Sequence, residues 1–182
     1  MAVLVEAISV IVKTSSIHDK YRGGWEAFKK DCPNRTLAAD GELARIGFTD
    51  PRHVRVLVER FRMIGLVLAG DAKESDFCVV DQLKGSTTAC EWIDVGTVPV
   101  DSDDARTVTA ARLKGSQSKI FMKPDGWVYD GSLSQKPRFV NALDVLQRLK
   151  YLRTEGDVDV FWDPAEGREV VTPRVPGEDL KS

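Results

Sequence analysis

Few residues in this chain could do chemistry. Among 182 residues there are three cysteines, Cys32, Cys78 and Cys90, and two histidines, His18 and His53. They form no C-x-x-C pair, no H-E-x-x-H motif, no Cys/His cluster and no EF-hand loop, so no preformed zinc or calcium site is expected. An odd cysteine count without a disulfide framework reads as three inert thiols in a reducing, cytoplasmic setting, with Cys78 a small core hydrophobe. Walker A and G-x-G-x-x-G sequences are absent. The Gly-Ser runs at 85–88 and 115–118 read as loops rather than anion cradles. No G-x-S-x-G elbow occurs, and nothing places an acid or a nucleophile beside either histidine. No cofactor is expected.

What remains is polar residues emerging from apolar strands. Asp81-Gln82 follows the run Phe77-Cys78-Val79-Val80, and Glu91-Trp92-Ile93-Asp94 comes soon after. A buried unpaired carboxylate is costly, so Asp81 should meet water or a donor. Trp92 and Trp127, with broad faces and one N–H donor each, suit the wall of a pocket or the centre of an interface. Asp81, Gln82, Trp92, Asp94 and Trp127 are therefore the candidate ligand- or partner-binding residues; core tryptophans and a strand-ending polar pair are the plainer reading. Arg52, Arg55 and Arg62 form the one visible basic patch. Base-stacking aromatics are missing from residues 2–12, and residues 42–49 hold only Phe48. With a net charge of −2 and a pI near 5.8, nucleic acid is not an expected partner.

These residues must be positioned by elements the pattern predicts. Residues 2–12 (AVLVEAISVIV) read as one strand, apolar on both faces and so buried on both. Residues 16–31 read as a helix capped by Thr14-Ser15-Ser16, with Asp19 as a capping-box acid, and split by Gly23-Gly24. Asp40-Gly41 joins two hairpin strands through positive φ angles. Asp50-Pro51 opens a helix that ends at Gly65, with Val54, Leu57, Val58, Phe61 and Ile64 on its apolar side. Strands at 66–69 and 77–83 complete a βαββαβ order, which resembles ferredoxin-like folds in architecture alone. Glu6 and Arg45 would be cross-strand partners.

Beyond residue 84 the expected elements are a strand at 90–100 broken at Gly96 and Pro99, a strand at 106–113, and strands at 119–122 and 127–129 around a P-D-G turn. A long helix at about 137–153 and a hairpin of 158–162 with 168–172 follow. The fold class is thus α+β: a ferredoxin-like half over 1–84, a β-rich extension with the long helix over 85–175 packed on it, and a frayed tail at 176–182.

Composition agrees with such a fold, at 42% hydrophobic and 30% charged residues. Residues 1–70 carry 11 Lys and Arg against 8 Asp and Glu, and the remainder carries 15 against 20, so the halves have opposite sign. The apolar stretch at 2–12 is too short to cross a membrane, which takes ~20 residues. A signal peptide is not expected either, since the first basic residue is Lys13. The leading expectation is a non-enzymatic binding or protein-interaction module, its partner another protein or a second copy of the chain. A small-molecule sensor or enzyme, using a cleft between the halves lined by Asp81, Gln82, Trp92 and Asp94, is the alternative. RNA binding through Arg52, Arg55 and Arg62 comes third.

Overall fold

The computed structural model describes residues 1–71, 74–101, 106–135, 149–156, 158–164 and 167–173. It is a mixed α+β fold with three helices and three sheets among those residues. The chain divides into two compact units, Met1–Trp127 and Val128–Ser182.

The first unit is built on a five-stranded sheet. Its strands are β2 (Ile8–Lys13), β3 (Ala38–Ala39), β4 (Leu43–Phe48), β5 (Phe77–Asp81) and β6 (Gly85–Ser86), in the order β3-β4-β2-β5-β6 with every neighbour antiparallel. Alternation along β2 and β4 divides the core. Val10, Val12, Ala44, Ile46 and Phe48 meet the three helices, α1 (Thr14–Lys20), α2 (Gly24–Asp31) and α3 (Pro51–Met63). A run of ring contacts, Tyr21–Phe28, Phe28–Phe61 and Phe61–Phe77 at 5.2–6.2 Å, ties those helices to β5. Ile11, Leu43, Cys78 and Val80 face the other way, toward Val3, Val5, Ile93 and Ala111. That second layer is a sheet of β7 (Ile93–Pro99), β8 (Thr107–Leu113), β1 (Ala2–Leu4) and β9 (Phe121–Met122), in that order.

Residues 2–12 are therefore not one strand. The run breaks at Val5–Ala7, β1 joining the second sheet and β2 the first. Ala7 makes the crossing with φ of 49°, a left-handed conformation that costs a non-glycine residue roughly 1–2 kcal/mol. Gln82 holds it there: Ala7 N–H donates to Gln82 Oε1 and Gln82 N–H donates to Ala7 O, both at 2.8 Å. Gln82→Ala would leave the buried Ala7 N–H without that acceptor. A loss of about 1–3 kcal/mol is expected, read as a lower urea midpoint at unchanged slope.

Local signals otherwise act mostly as expected, with some changes of mechanism. Gly23 and Gly24, at φ of 87° and 61°, separate α1 from α2. The Thr14-Ser15-Ser16 cluster lies inside α1 rather than capping it; Lys13 is the N-cap, and Ser16 instead donates to Asp76 Oδ1 at 2.7 Å. The hairpin at Asp40-Gly41 forms without positive φ at either residue, because Asp40 Oδ1 accepts the Glu42 and Leu43 N–H groups at 2.8 and 2.7 Å. Asp50 caps α3 by accepting from Arg52 N–H, with Pro51 in the first turn. Residues 93–99 run as one strand through Gly96, paired with β8 from Ile93↔Leu113 to Pro99↔Thr107.

A guanidinium is enclosed in this unit. Arg45, 2% exposed, lies on the face of β4 that meets the second sheet. It donates from Nε to Ser9 Oγ (2.9 Å), and from its terminal nitrogens to the backbone carbonyls of Thr36 (3.2 Å) and Glu6 (3.1 Å). Glu6 is thus a partner through its main chain. Burial pushes Arg45 down to about 10, and the Glu6 charge works against that, so it stays cationic at neutral pH. The guanidinium lies over Gly47, where a Cβ would overlap it.

The second unit contains an antiparallel sheet of β10 (Lys150–Glu155), β11 (Val158–Asp163) and β12 (Arg168–Pro173). Val158, Val160 and Val171 pack with Leu133, while Phe161 and Val170 pack with Leu149. Residues 150–153, expected to end a long helix, are strand instead. Their backbone pairs with β11, a bulge at Leu152 breaks the register, and Tyr151 lies edge-on to Phe161 at 5.7 Å. The rest of that expected helix to residue 148, residues 102–105 and the tail at 176–182 lie outside the described residues.

Candidate functional site

The residues singled out in the sequence occupy separate places in the first unit. Asp81 ends β5 and its Oδ1 accepts the N–H groups of Leu83 and Lys84 at 2.9 and 3.0 Å, closing the turn to β6. Gln82 is the buried clamp on Ala7. Trp92 donates from Nε1 to Ser75 Oγ at 2.8 Å, with the Lys13 ammonium 4.8 Å from its ring centre. Asp94 on β7 accepts from Gly115 N–H at 3.3 Å. Trp127 stands edge-on to Phe121 at 6.0 Å beneath the Lys123 ammonium. Of the basic residues on α3, Arg52 is paired with Asp50 at 2.5 Å and Arg62 with Asp71 at 2.7 Å, while Arg55 is exposed. The two pairings neutralise much of that patch. Asp50 is held below the usual carboxylate range chiefly by the hydrogen bond from Arg52.

A concave site forms elsewhere, between α3 and residues 33–34. His53, Val56, Leu57 and Arg60 follow the i, i+3, i+4, i+7 spacing of one helix face, and Pro33, Asn34 and Phe48 complete a groove of about 380 Å³ with them. Phe48, Val56 and Leu57 give it apolar lining, and its polar groups are Asn34 on one segment and His53 and Arg60 on α3. The wall at Asn34 is fixed, since Asn34 Nδ2 donates to Gly47 O at 2.8 Å and its Oδ1 accepts from Thr36 N–H and Oγ1. Arg60 is fixed as well, donating to Asp31 Oδ2 and to Tyr21 Oη, both at 2.8 Å. Burial, then the hydrogen bond to Asp31, pushes the Tyr21 phenol up to about 12, so it remains a donor at neutral pH. Cys32 beside them is pushed up to about 11 by burial and stays a thiol.

Sequence reasoning did not bring these residues together. In the sequence Phe48 belongs to a hairpin strand and Leu57 to a core stripe. One local signal was available: Val56 is apolar on the polar side of α3, and it is 65% exposed. Among the described residues, no cluster of three or more His, Cys, Asp or Glu side chains could hold a metal ion. No helix of the described residues is long and apolar enough to cross a membrane. No protein-family model matches this chain, and no curated protein or solved structure matches it either.

Proposed function

We propose that the protein is a ligand-binding module whose α3 groove takes a small amphipathic molecule, an apolar body with an acceptor or carboxylate end. The groove carries the reading. Its volume falls within the ~300–1,000 Å³ range of small-ligand sites, and its mix of apolar walls with a few fixed polar groups is the composition such sites have. Phe48, Val56 and Leu57 would hold the body, and His53 and Arg60 would meet the polar end. The supporting fold is read as ferredoxin-like. The succession of β2, the pair α1 and α2, β3, β4, α3 and β5, with sheet order β3-β4-β2-β5 and antiparallel neighbours, favours that reading. Three free cysteines suit a cytoplasmic setting.

The test is a thermal-shift and amide-NMR screen of aromatic carboxylates such as indole-3-acetate and phenylacetate. A bound probe at 100 times its dissociation constant should stabilise by about 2.7 kcal/mol. It should move the amides of His53, Val56 and Arg60, and Val56→Glu should abolish both effects without unfolding the chain. Shifts confined to other residues, or none at all, would refute the groove as the site.

A protein partner covering the same side of α3 is the second reading, favoured by the exposure of Val56 and of Met63, the latter at 82%. Concentration-dependent elution abolished by Met63→Glu would support it in the form of self-association.

A further inference from the structure

Asp-Gly occurs three times in the chain, at Asp40-Gly41, Asp125-Gly126 and Asp130-Gly131. A glycine carries no side chain to hinder its amide nitrogen, so at such a step that nitrogen can attack the carboxyl of the preceding aspartate. The five-membered ring that forms needs an accessible carboxyl, an N–H free to turn toward it, and room for the backbone to move. The three steps meet these conditions very differently.

At Asp40 the carboxyl is held. Its side chain is 1% exposed, and Oδ1 accepts the N–H groups of Glu42 and Leu43. Asp125 and Asp130 are a matched pair. Both are exposed, and both lie in turns closed by a backbone hydrogen bond at 3.1 Å, Trp127 N–H to Pro124 O and Ser132 N–H to Tyr129 O. Gly126 and Gly131 have φ of 76° and 81°, and a Cβ on either would meet nothing within 4 Å. They differ at the nitrogen. Gly131 N–H donates to Gln135 Oε1 at 2.7 Å, whereas among the described residues neither the Gly126 N–H nor the Asp125 carboxylate has a hydrogen-bond partner.

We propose that Asp125 is a self-modifying site, converting to isoaspartate ahead of the other two steps, and that Gln135 protects Asp130 by holding the Gly131 N–H. The Gly126 nitrogen attacks Cγ of the protonated Asp125 carboxyl. The new N–C bond closes a succinimide, and the proton of the nitrogen leaves with the carboxyl hydroxyl as water. A second water adds to the ring at the former main-chain carbonyl of Asp125, and the C–N bond there breaks. The chain now runs through the side-chain carbonyl, one methylene longer, and the former main-chain carbonyl is a free carboxylate. Nothing is oxidised or reduced, and the mass is unchanged. The lengthened backbone lies inside the turn that Trp127 N–H closes on Pro124 O. The step makes no use of the α3 groove.

The test incubates the full chain, folded, in mildly acidic buffer at physiological temperature and locates isoaspartate by electron-transfer fragmentation of its peptides. Endoproteinase Asp-N, which cuts before aspartate and not before isoaspartate, gives an independent count. Isoaspartate should accumulate at Asp125 at least ~5-fold faster than at Asp130, the rate equivalent of one hydrogen bond of about 1 kcal/mol. Gln135→Ala, a change at an exposed side chain, should raise the rate at Asp130 toward that at Asp125 and leave Asp125 unchanged. In urea, with the native hydrogen bonds lost, the three steps should converge. Isoaspartate appearing first anywhere but Asp125, or not at all, would overturn the proposal. So would equal rates at Asp125 and Asp130 in the folded wild type, an Asp130 rate unmoved by Gln135→Ala, or a ranking that persists in urea.

Discussion

Replacing Arg45 with alanine should lower the unfolding free energy by about 3–5 kcal/mol. The change removes donors from Ser9 Oγ, Thr36 O and Glu6 O, three acceptors in or beside a closed layer between two sheets. Each buried acceptor left without a donor costs about 1–3 kcal/mol, and the vacated volume adds to this. Gly47→Ala should act through the same group, because its new methyl occupies the space of the guanidinium. Forced overpacking typically costs about 1–3 kcal/mol. The double variant should then lose less than the sum of the two, since with Arg45 gone the methyl has room. Chemical denaturation of the four proteins measures this cycle. Strict additivity would show that Gly47 is not held small by Arg45.

Asp76→Asn is expected to cost about 2–3 kcal/mol at neutral pH, as hydrogen bonds to a charged group do. The Asp76 carboxylate accepts from Ser16 Oγ, Lys20 Nζ and Val67 N–H, all at 2.7 Å. It thereby fastens α1 to the chain on both sides of the turn that leads into β5. Burial alone would raise this carboxyl. The hydrogen bonds from Lys20, Ser16 and Val67, with the Lys20 charge, outweigh it and hold the group below its usual range. A depressed carboxyl contributes its full stabilisation above the unfolded value of ~3.9 and loses it as pH falls through the folded value. Wild-type stability should therefore fall from about pH 4 downward, and the Asp76→Asn curve should be flatter there. Parallel curves for the two proteins would contradict the assignment.

The features legible in the sequence were those set by neighbouring residues. Asp50-Pro51 announced α3, Gly23-Gly24 split a helix, and Asp40-Gly41 marked a hairpin, although the Asp40 carboxylate and not a positive φ makes that turn. Alternation in residues 2–12 correctly implied burial on two sides. It carried no information on which sheet each half would join, and the left-handed Ala7 has no glycine to announce it. Leucines at helical spacing around 149–152 were equally compatible with a strand once β11 supplied a pairing edge. The groove is made by segments distant in sequence. Asn34 and Phe48 line it together with α3 although they are separated from the helix in sequence.

The crossing at Ala7 has a further consequence. One short ribbon supplies an inner strand to each sheet, and β1 finds its strand partners in β8 and β9, more than a hundred residues onward. Neither layer can loosen without tugging the other. Native-state amide exchange should accordingly show β2, β5 and β8 opening together at a common free energy, with no partially open species in which a single sheet survives.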